Sequence, residues 1–424
     1  MTTARSARQL KYGEDMVRFE IDGKTYSEDD PGLQGALSRI YGSAIRPLCL
    51  CVDPKPGIPM YVSKVHGQYL IKRMPDSGPL HSAEKNCPSY EAPAQLSGLG
   101  EVMGHAIKED VDDGTTSLRL DFALNKIAGR APPTPTDSEQ DSVKGETSKL
   151  TIRSLLHYLW DEARLTHWHP GMEGRRSWAT VHKYLLRAAQ GKFTKGMHLP
   201  STLYVPEPFY VDRKQEIEQR RSALLAAAHK PGRGGQRLFI AIGEIKAVTA
   251  ARYGHKIELK HAPGFFFMMS ADLNKRLKVF EAEKSLWNAY PDIHLIMIAT
   301  FSVDVAGVAE LEEMALMTVN EQWIPFSTVE EKSFLETLVS DRRRFVKGLR
   351  YNLPSTRPLA SVVLNDTEGK HTAVYMVPGN ASEAYKVALA ELLADERMNH
   401  LQWKSGNAMP VLPPPSVRTV SEAA

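Results

Sequence analysis

Hydrophobic and polar positions change period several times along the chain, and each change predicts an element. From Met16 the apolar residues alternate as Val17, Phe19 and Ile21, ahead of Gly23 and Tyr26, which predicts a strand and a turn. Met60–Val62 and Gln68–Ile71 read as further short strands, in a stretch punctuated by Pro and Gly as far as Pro93 and Gly100. Leu150, Ile152, Leu155, Leu156 and Leu159 then recur at helical spacing, ending in Trp160–Ala163. Trp178–Gln190 predicts a second helix, with Val181, Tyr184, Leu185 and Ala188 on one face. Arg213–His229 predicts a third, stopped by Pro231–Gly235.

Beyond it the pattern is that of an α/β region. Leu238–Ile242 and Lys256–Leu259 read as strands, and Leu273–Tyr290 as a helix. Ile293–Phe301 is an apolar run typical of a strand covered on both faces, and Met314–Val319 is another strand. Val329–Val346 predicts a helix, Ala360–Leu364 and Ala373–Val377 two strands joined by the turn Asp366–Gly369, and Ala381–Ala394 a last helix.

These elements predict a multidomain α+β protein. A small β-rich module spans 16–129, a linker poor in apolar residues spans 130–149, and a helical domain spans 150–236. An α/β domain with a mixed sheet spans 237–404, and a Pro- and Ser-rich disordered tail spans 405–424. Within the helical domain, the first two helices, the turn Thr166–Gly171 and the extended Leu203–Val205 fit a winged-helix-like arrangement. The alternative, and the simpler reading, is an ordinary helical hairpin.

Composition narrows the class. At 424 residues, two or three cores are expected. No apolar run approaches the roughly 18 residues needed to cross a bilayer, so no membrane partner is expected. The N-terminus has no apolar segment after its two arginines, which is not a secretory signal. Three cysteines are too few and too odd for a disulfide framework and point to a reducing cytoplasm. The net charge of +3 is mildly basic. Its densest basic cluster is Arg342, Arg343, Arg344, Lys347 and Arg350. Such a cluster is either a solvated face or a set of phosphate contacts.

The strongest chemical signal is that all three cysteines fall close together, with histidines among them. Cys49, Cys51, His81 and Cys87 make a structural zinc set, with His66 competing as the fourth ligand, because thiolate and imidazole donors close a tetrahedral site. The alternative is three incidental thiols. His167 and His169 flank Trp168 and could ligate a metal or face a phosphate, or simply pack there. Glu244 and Lys246 form an E-x-K pair, the half-signature of a Mg²⁺ nuclease, which also arises by chance. No phosphate-binding loop and no G-x-S-x-G elbow is present, which disfavours ATPases and hydrolases of those types.

Several short stretches carry a resemblance. They are Pro47-Leu-Cys-Leu-Cys51, Arg73-Met-Pro75, His81, Cys87-Pro-Ser-Tyr90 and Ser97-Gly98, followed by Arg252-Tyr-Gly-His255, Ile298-Ala-Thr-Phe301 and Lys347-Gly-Leu-Arg-Tyr-Asn352. Together they resemble the bacterial domain-of-unknown-function family 1173, marked by three cysteines near the N-terminus. The resemblance covers about Cys49 to Val377. It implies a setting on plasmids and integrative conjugative elements, hence an accessory role in a mobile element, and it names no reaction. Glu331 on a helix, then Phe345–Arg350 and a two-strand hairpin, also resemble the PD-(D/E)xK nuclease core. Pro358–Ser361 and Ala373–Met376 stand where that core carries its carboxylates, which implies a degenerate copy without catalysis.

The expectation is therefore a cytoplasmic, non-catalytic accessory protein. It holds structural zinc and associates with DNA or RNA, or with a protein partner from the same element. Two rivals stay open: a metal-dependent nuclease using Glu244 and Lys246, and an assembly subunit. In the second, the run Gly264–Met269 is an interface anchor, unless it is buried in the core.

Overall fold

The computed structural model describes residues 17–53, 56–65, 67–85, 87–126, 148–226, 235–252 and 254–416. The expected linker, as far as residue 147, lies outside them, as do His66 and the end of the expected tail.

The N-terminal part comprises β1 (Arg18–Ile21), β2 (Lys24–Ser27), α1 (Leu33–Ile40), β3 (Leu48–Cys49), β4 (Ile58–Val65) and β5 (Gln68–Arg73). Its strands form one antiparallel sheet in the order β2-β1-β3-β4-β5. Next come α2 (Leu99–Val102), β6 (Ile107–Asp110), β7 (Thr115–Leu118) and β8 (Asn125–Lys126). The helical stretch holds α3 (Ile152–Glu162), β9 (His167–Trp168), α4 (Trp178–Ala189), β10 (Lys192–Thr194), β11 (Met197–His198), β12 (Leu203–Tyr204), α5 (Lys214–Ala226) and β13 (Gln236–Arg237).

Helices begin where the sequence supplies caps. Thr151 Oγ1 accepts the Ser154 N–H at the start of α3, so one orphan donor of the first turn is satisfied. Most of α3 is buried, Trp160 completely, so both sides of it face protein. The hairpin after α4 is built into a sheet in the order β11-β10-β7-β6, where β10 runs parallel to β7. Strands of the helical stretch thus join sheets made largely by other parts of the chain. β9 pairs with a C-terminal strand, and β12 with the long strand described next.

That strand, β14 (Phe239–Ala251), is followed by β15 (Gly254–Leu259), β16 (Phe266–Met269), α6 (Ala271–Arg276), α7 (Glu281–Ala289), β17 (His294–Val303), β18 (Ala309–Val319) and β19 (Pro325–Phe326). Residues Phe239–Glu244 of β14 pair with β17, whereas Ile245–Ala251 pair with β15. The register shifts between Ile245 and Ala247, and a bulge there bends the strand so that it serves two neighbours. β15 pairs antiparallel with β16, β16 parallel with β18, and β18 antiparallel with β17. The ring therefore closes on β14. Counted in chain order, its five strands run 1-2-3-5-4-1, with a helical insert between the third and fourth. This is the connectivity of the oligonucleotide- and oligosaccharide-binding (OB) barrel. Phe239, Phe267 and Phe301 are fully buried; Phe301 meets Phe267 edge-on at 5.1 Å, with Phe239 tilted against it at 6.0 Å.

The last part contains α8 (Val329–Ser340), β20 (Phe345–Lys347), β21 (Val362–Leu364), β22 (Thr372–Val377), α9 (Glu383–Leu393) and β23 (Asn399–Lys404). Its sheet has the order β23-β22-β21-β20-β9, with α8 packed on one side through Phe334 and Trp403. The expected helix to Val346 is corrected here: α8 stops at Ser340. Arg342 takes a left-handed φ of 55°, and the Arg344 N–H is claimed by the Asp366 carboxylate, so the chain leaves helical geometry and re-enters as a strand. Residues 405–416, read from composition as part of a loose tail, lie along this sheet. Leu412 packs on its core and the Ser416 N–H bonds to Asp366 O. No described helix is long and apolar enough to cross a membrane. The architecture is mixed α+β throughout.

Candidate metal centre

Cys49 ends β3, and two residues later the chain turns to present Cys51. Gly57, entering β4, crosses so close to this turn that a Cβ would sit 2.4 Å from Cys49 O, so glycine is required there. His81 follows the short helical turn Gly78–Leu80, and Cys87 closes a loop whose N–H returns to Ser82 O at 3.1 Å. The four donor atoms lie within 4.8 Å of one another. Among the described residues this is the group of three or more His, Cys, Asp or Glu side chains able to hold a metal ion. Cys49 Sγ is 3.7 Å from Cys87 Sγ, and His81 Nδ1 is 3.4 Å from Cys51 Sγ and 3.6 Å from Cys87 Sγ. Exposure is 9% or less for all four.

The three thiols perturb one another strongly. Contacts from Cys51 and Cys87, together with burial, push the Cys49 thiol far up, while the same sulfur contacts hold Cys51 far down. At Cys87 the Cys49 contact lowers and the Cys51 contact and burial raise, leaving it pushed up to about 11. A divalent cation is the group whose charge lets all three ionise. The Ser82 N–H donates to Cys51 Sγ at 3.4 Å, whereas His81 Nε2 is buried without a hydrogen-bond partner among the described residues.

The loop carrying Cys87 is held by distant parts of the chain. Arg164 donates to the carbonyls of Pro88, Tyr90 and Cys87. Arg344 donates to Glu84 O at 2.9 Å, and Tyr90 OH meets His371 Nδ1 at 2.9 Å. Val346 of β20 packs in the same small core as the three cysteines. The centre therefore ties the N-terminal sheet to the C-terminal one. Arg164 escaped sequence reasoning, because an arginine whose partners are about 75 residues away leaves no local pattern.

The other sequence candidates are dispersed. His167 is buried, and burial holds it well below its ordinary range, hence neutral; its Nε2 bonds to Tyr90 O at 3.2 Å. Burial also lowers His169, to about 4. Arg343 is buried in a bidentate pair with Asp366 at 2.8 and 3.0 Å, and Lys347 is buried against Glu331 at 3.0 Å. Arg350 reaches the carbonyls of Pro354 and Arg357. Arg342 is exposed and Arg344 partly so. The five cations thus do not converge on one open surface, because two of them neutralise buried acids. Glu244 is buried and accepts from Lys260 at 2.5 Å and His294 at 2.6 Å. Burial raises it, but the contacts from His294 and Lys260 outweigh burial and keep it below the usual carboxylate range. Lys246 is the extra residue of the bulge and reaches Glu258.

Among curated proteins and solved structures, none matches the chain. One family model does: the family described as a protein of unknown function, DUF1173, matches residues 19–406, and the chain belongs to that family.

Proposed function

We propose that the protein is a non-catalytic, nucleic-acid-associated accessory protein, with its metal centre a structural zinc site. The observation that carries the nucleic-acid reading is the closed five-stranded ring in OB order, an architecture that leaves one barrel face and its loops open to oligonucleotides. Fold alone names no ligand, so the residues of that face must carry the rest. The setting is the one the family resemblance implies, a bacterial mobile element in a reducing cytoplasm, where thiols serve a metal rather than a disulfide.

Zinc fits the donor set. A tetrahedron with Zn–S of about 2.3 Å and Zn–N of about 2.0 Å has S···S edges of about 3.8 Å and S···N edges of about 3.5 Å. The measured separations of 3.7, 3.4 and 3.6 Å agree. Cys49, Cys51, His81 and Cys87 would hold the ion, which supplies charge neutralisation and cross-linking. Four protein donors leave no open position for water or substrate, the mark of a structural rather than catalytic site. The surroundings of Glu244 do not favour the nuclease alternative, since its immediate partners are Lys260 and His294 rather than a second carboxylate.

The test is titration of the purified chain against single-stranded DNA, duplex DNA and RNA at several salt concentrations. Affinity that falls as salt rises supports the reading. No binding to any of the three at 50 mM salt contradicts it.

A further inference from the structure

The β14–β15 hairpin runs past the point where β14 leaves β17, so Lys246 to Ala250 have one strand neighbour and are largely exposed. From Ile245 to Ile257 the chain carries Lys246, Arg252, Lys256 and His255 and no acid. Register then fixes what lies beside these residues. Lys256 pairs across to Met268, and Glu258 to Phe266, on the outward side of the barrel. The alternate residues Ile257, Phe267 and Met269 point inward and are buried. Phe266 is partly exposed, with the Lys256 ammonium 4.4 Å from its ring centroid. The β17–β18 loop flanks this ring, because Phe267 is in register with Ala309. That loop exposes Val305 fully.

The acids around this face are already matched. Glu258 is held by Lys246 at 2.9 Å, and Glu310 and Glu312, on the β18 side, by Lys126. No carboxylate pairs with Lys256 among the described residues. The face therefore offers an aromatic surface bordered by cations along the hairpin, and its acids, Glu258 across from Phe266 and the pair along β18, are each matched by a lysine. Nucleic acid is the polymer that presents flat rings and a negative charge at each repeat. Stacking on a side chain needs an unpaired base, which a duplex keeps inside its own stack.

We propose that a single strand of nucleic acid lies across the outer face of β15 and β16, a base stacking on Phe266 and phosphates meeting Lys256, Lys246 and Arg252. This rests on the nucleic-acid reading above and names its ligand class and surface. The run Gly264–Met269 is thereby divided: Phe267 and Met269 build the core, while Phe266 and Met268 face the ligand.

The experiment is fluorescence anisotropy with the full chain and labelled 20-mers of thymidine, uridine and a hairpin duplex, at graded salt. Phe266→Leu keeps apolar bulk and removes the ring. It should weaken single-strand binding about ten-fold, whereas Phe266→Trp retains it. Lys256→Gln should weaken it and lower the salt slope by about one. Comparing thymidine with uridine separates DNA from RNA as the source, and binding to either in this pattern supports the proposal. If wild type binds nucleic acid but folded Phe266→Leu and Lys256→Gln bind as well as wild type, the surface is wrong and the broader reading stands. Preference for the duplex also overturns it. If wild type binds none of the three, both fall.

Discussion

Replacing Asp366 by alanine tests the role given to the basic cluster. The Asp366 carboxylate takes two bonds from Arg343 and a third from the Arg344 N–H at 2.8 Å. The side chains of the pair are 5% and 8% exposed, so solvent cannot replace what is lost. Removing one partner leaves a buried guanidinium uncompensated, at a cost of about 3–5 kcal/mol. Within that, the orphaned Arg344 N–H accounts for about 1–3 kcal/mol. Replacing both partners with apolar residues, Arg343→Met with Asp366→Leu, removes the unpaired charge and should recover about 2 kcal/mol or more relative to the sum of the single changes. The assay is urea unfolding of Asp366→Ala and of the four proteins of that cycle, followed by tryptophan fluorescence. Additive single changes, or an Asp366→Ala protein with an unchanged midpoint, would refute the buried-pair argument. The same Arg343→Met protein, if folded, should bind oligonucleotides like wild type.

Three further outcomes are expected. Metal analysis should find about one zinc per chain, lost in Cys87→Ser; if free zinc stands a thousand-fold above its dissociation constant, removing it by a chelator lowers stability by about 4 kcal/mol, read as a fall in Tm. Burial holds His157 down at about 3 from 6.5, with its Nδ1 accepting the Tyr351 N–H. The unfolded chain therefore binds the extra proton between those values. Stability should be complete above about pH 6.5 and fall toward pH 3 by on the order of 4 kcal/mol, while His157→Asn, which keeps an acceptor, should flatten that profile. Gly98 donates to Leu349 O at 2.8 Å, and a Cβ there would lie 1.9 Å from Arg350 O. Gly98→Ala should cost about 1–3 kcal/mol and show as a lowered melting temperature.

What the sequence discloses follows from the range of the forces involved. The helices Trp178–Ala189 and Ile152–Glu162 are legible because an amphipathic period is local. β17 is legible as a buried strand, but its neighbours are not. Closure of the ring depends on the bulge after Ile245 and on a parallel pairing between β16 and β18 about 40 residues apart, and neither leaves a local mark. β23 escaped notice because Asn399–Lys404 pairs with a neighbour on one side only and mixes polar and apolar residues. α8 seemed longer because Phe345 and Val346 continue its spacing, while the turn that ends it is set partly by Asp366 from the far side of the sheet.

The candidate metal-holding group was legible because three scarce residues crowd into one short segment, and the group that the fold brings together contains His81. The basic cluster was legible only in part. Charge is visible in a sequence, but its burial against Asp366 and Glu331 is not. The run Gly264–Met269 was visible as an apolar stretch, but not which of its residues face outward or that Lys256 lies beside Phe266, since strand register alone sets that.

Ultraviolet crosslinking of a 5-iodouridine-substituted single strand to the full chain, mapped by mass spectrometry, tests the central claim most directly. The account predicts adducts on β15 and β16, Phe266 foremost, reduced by unlabelled single strand and not by duplex. Adducts confined to residues 341–350, or none at a concentration where the strand is bound, would contradict it.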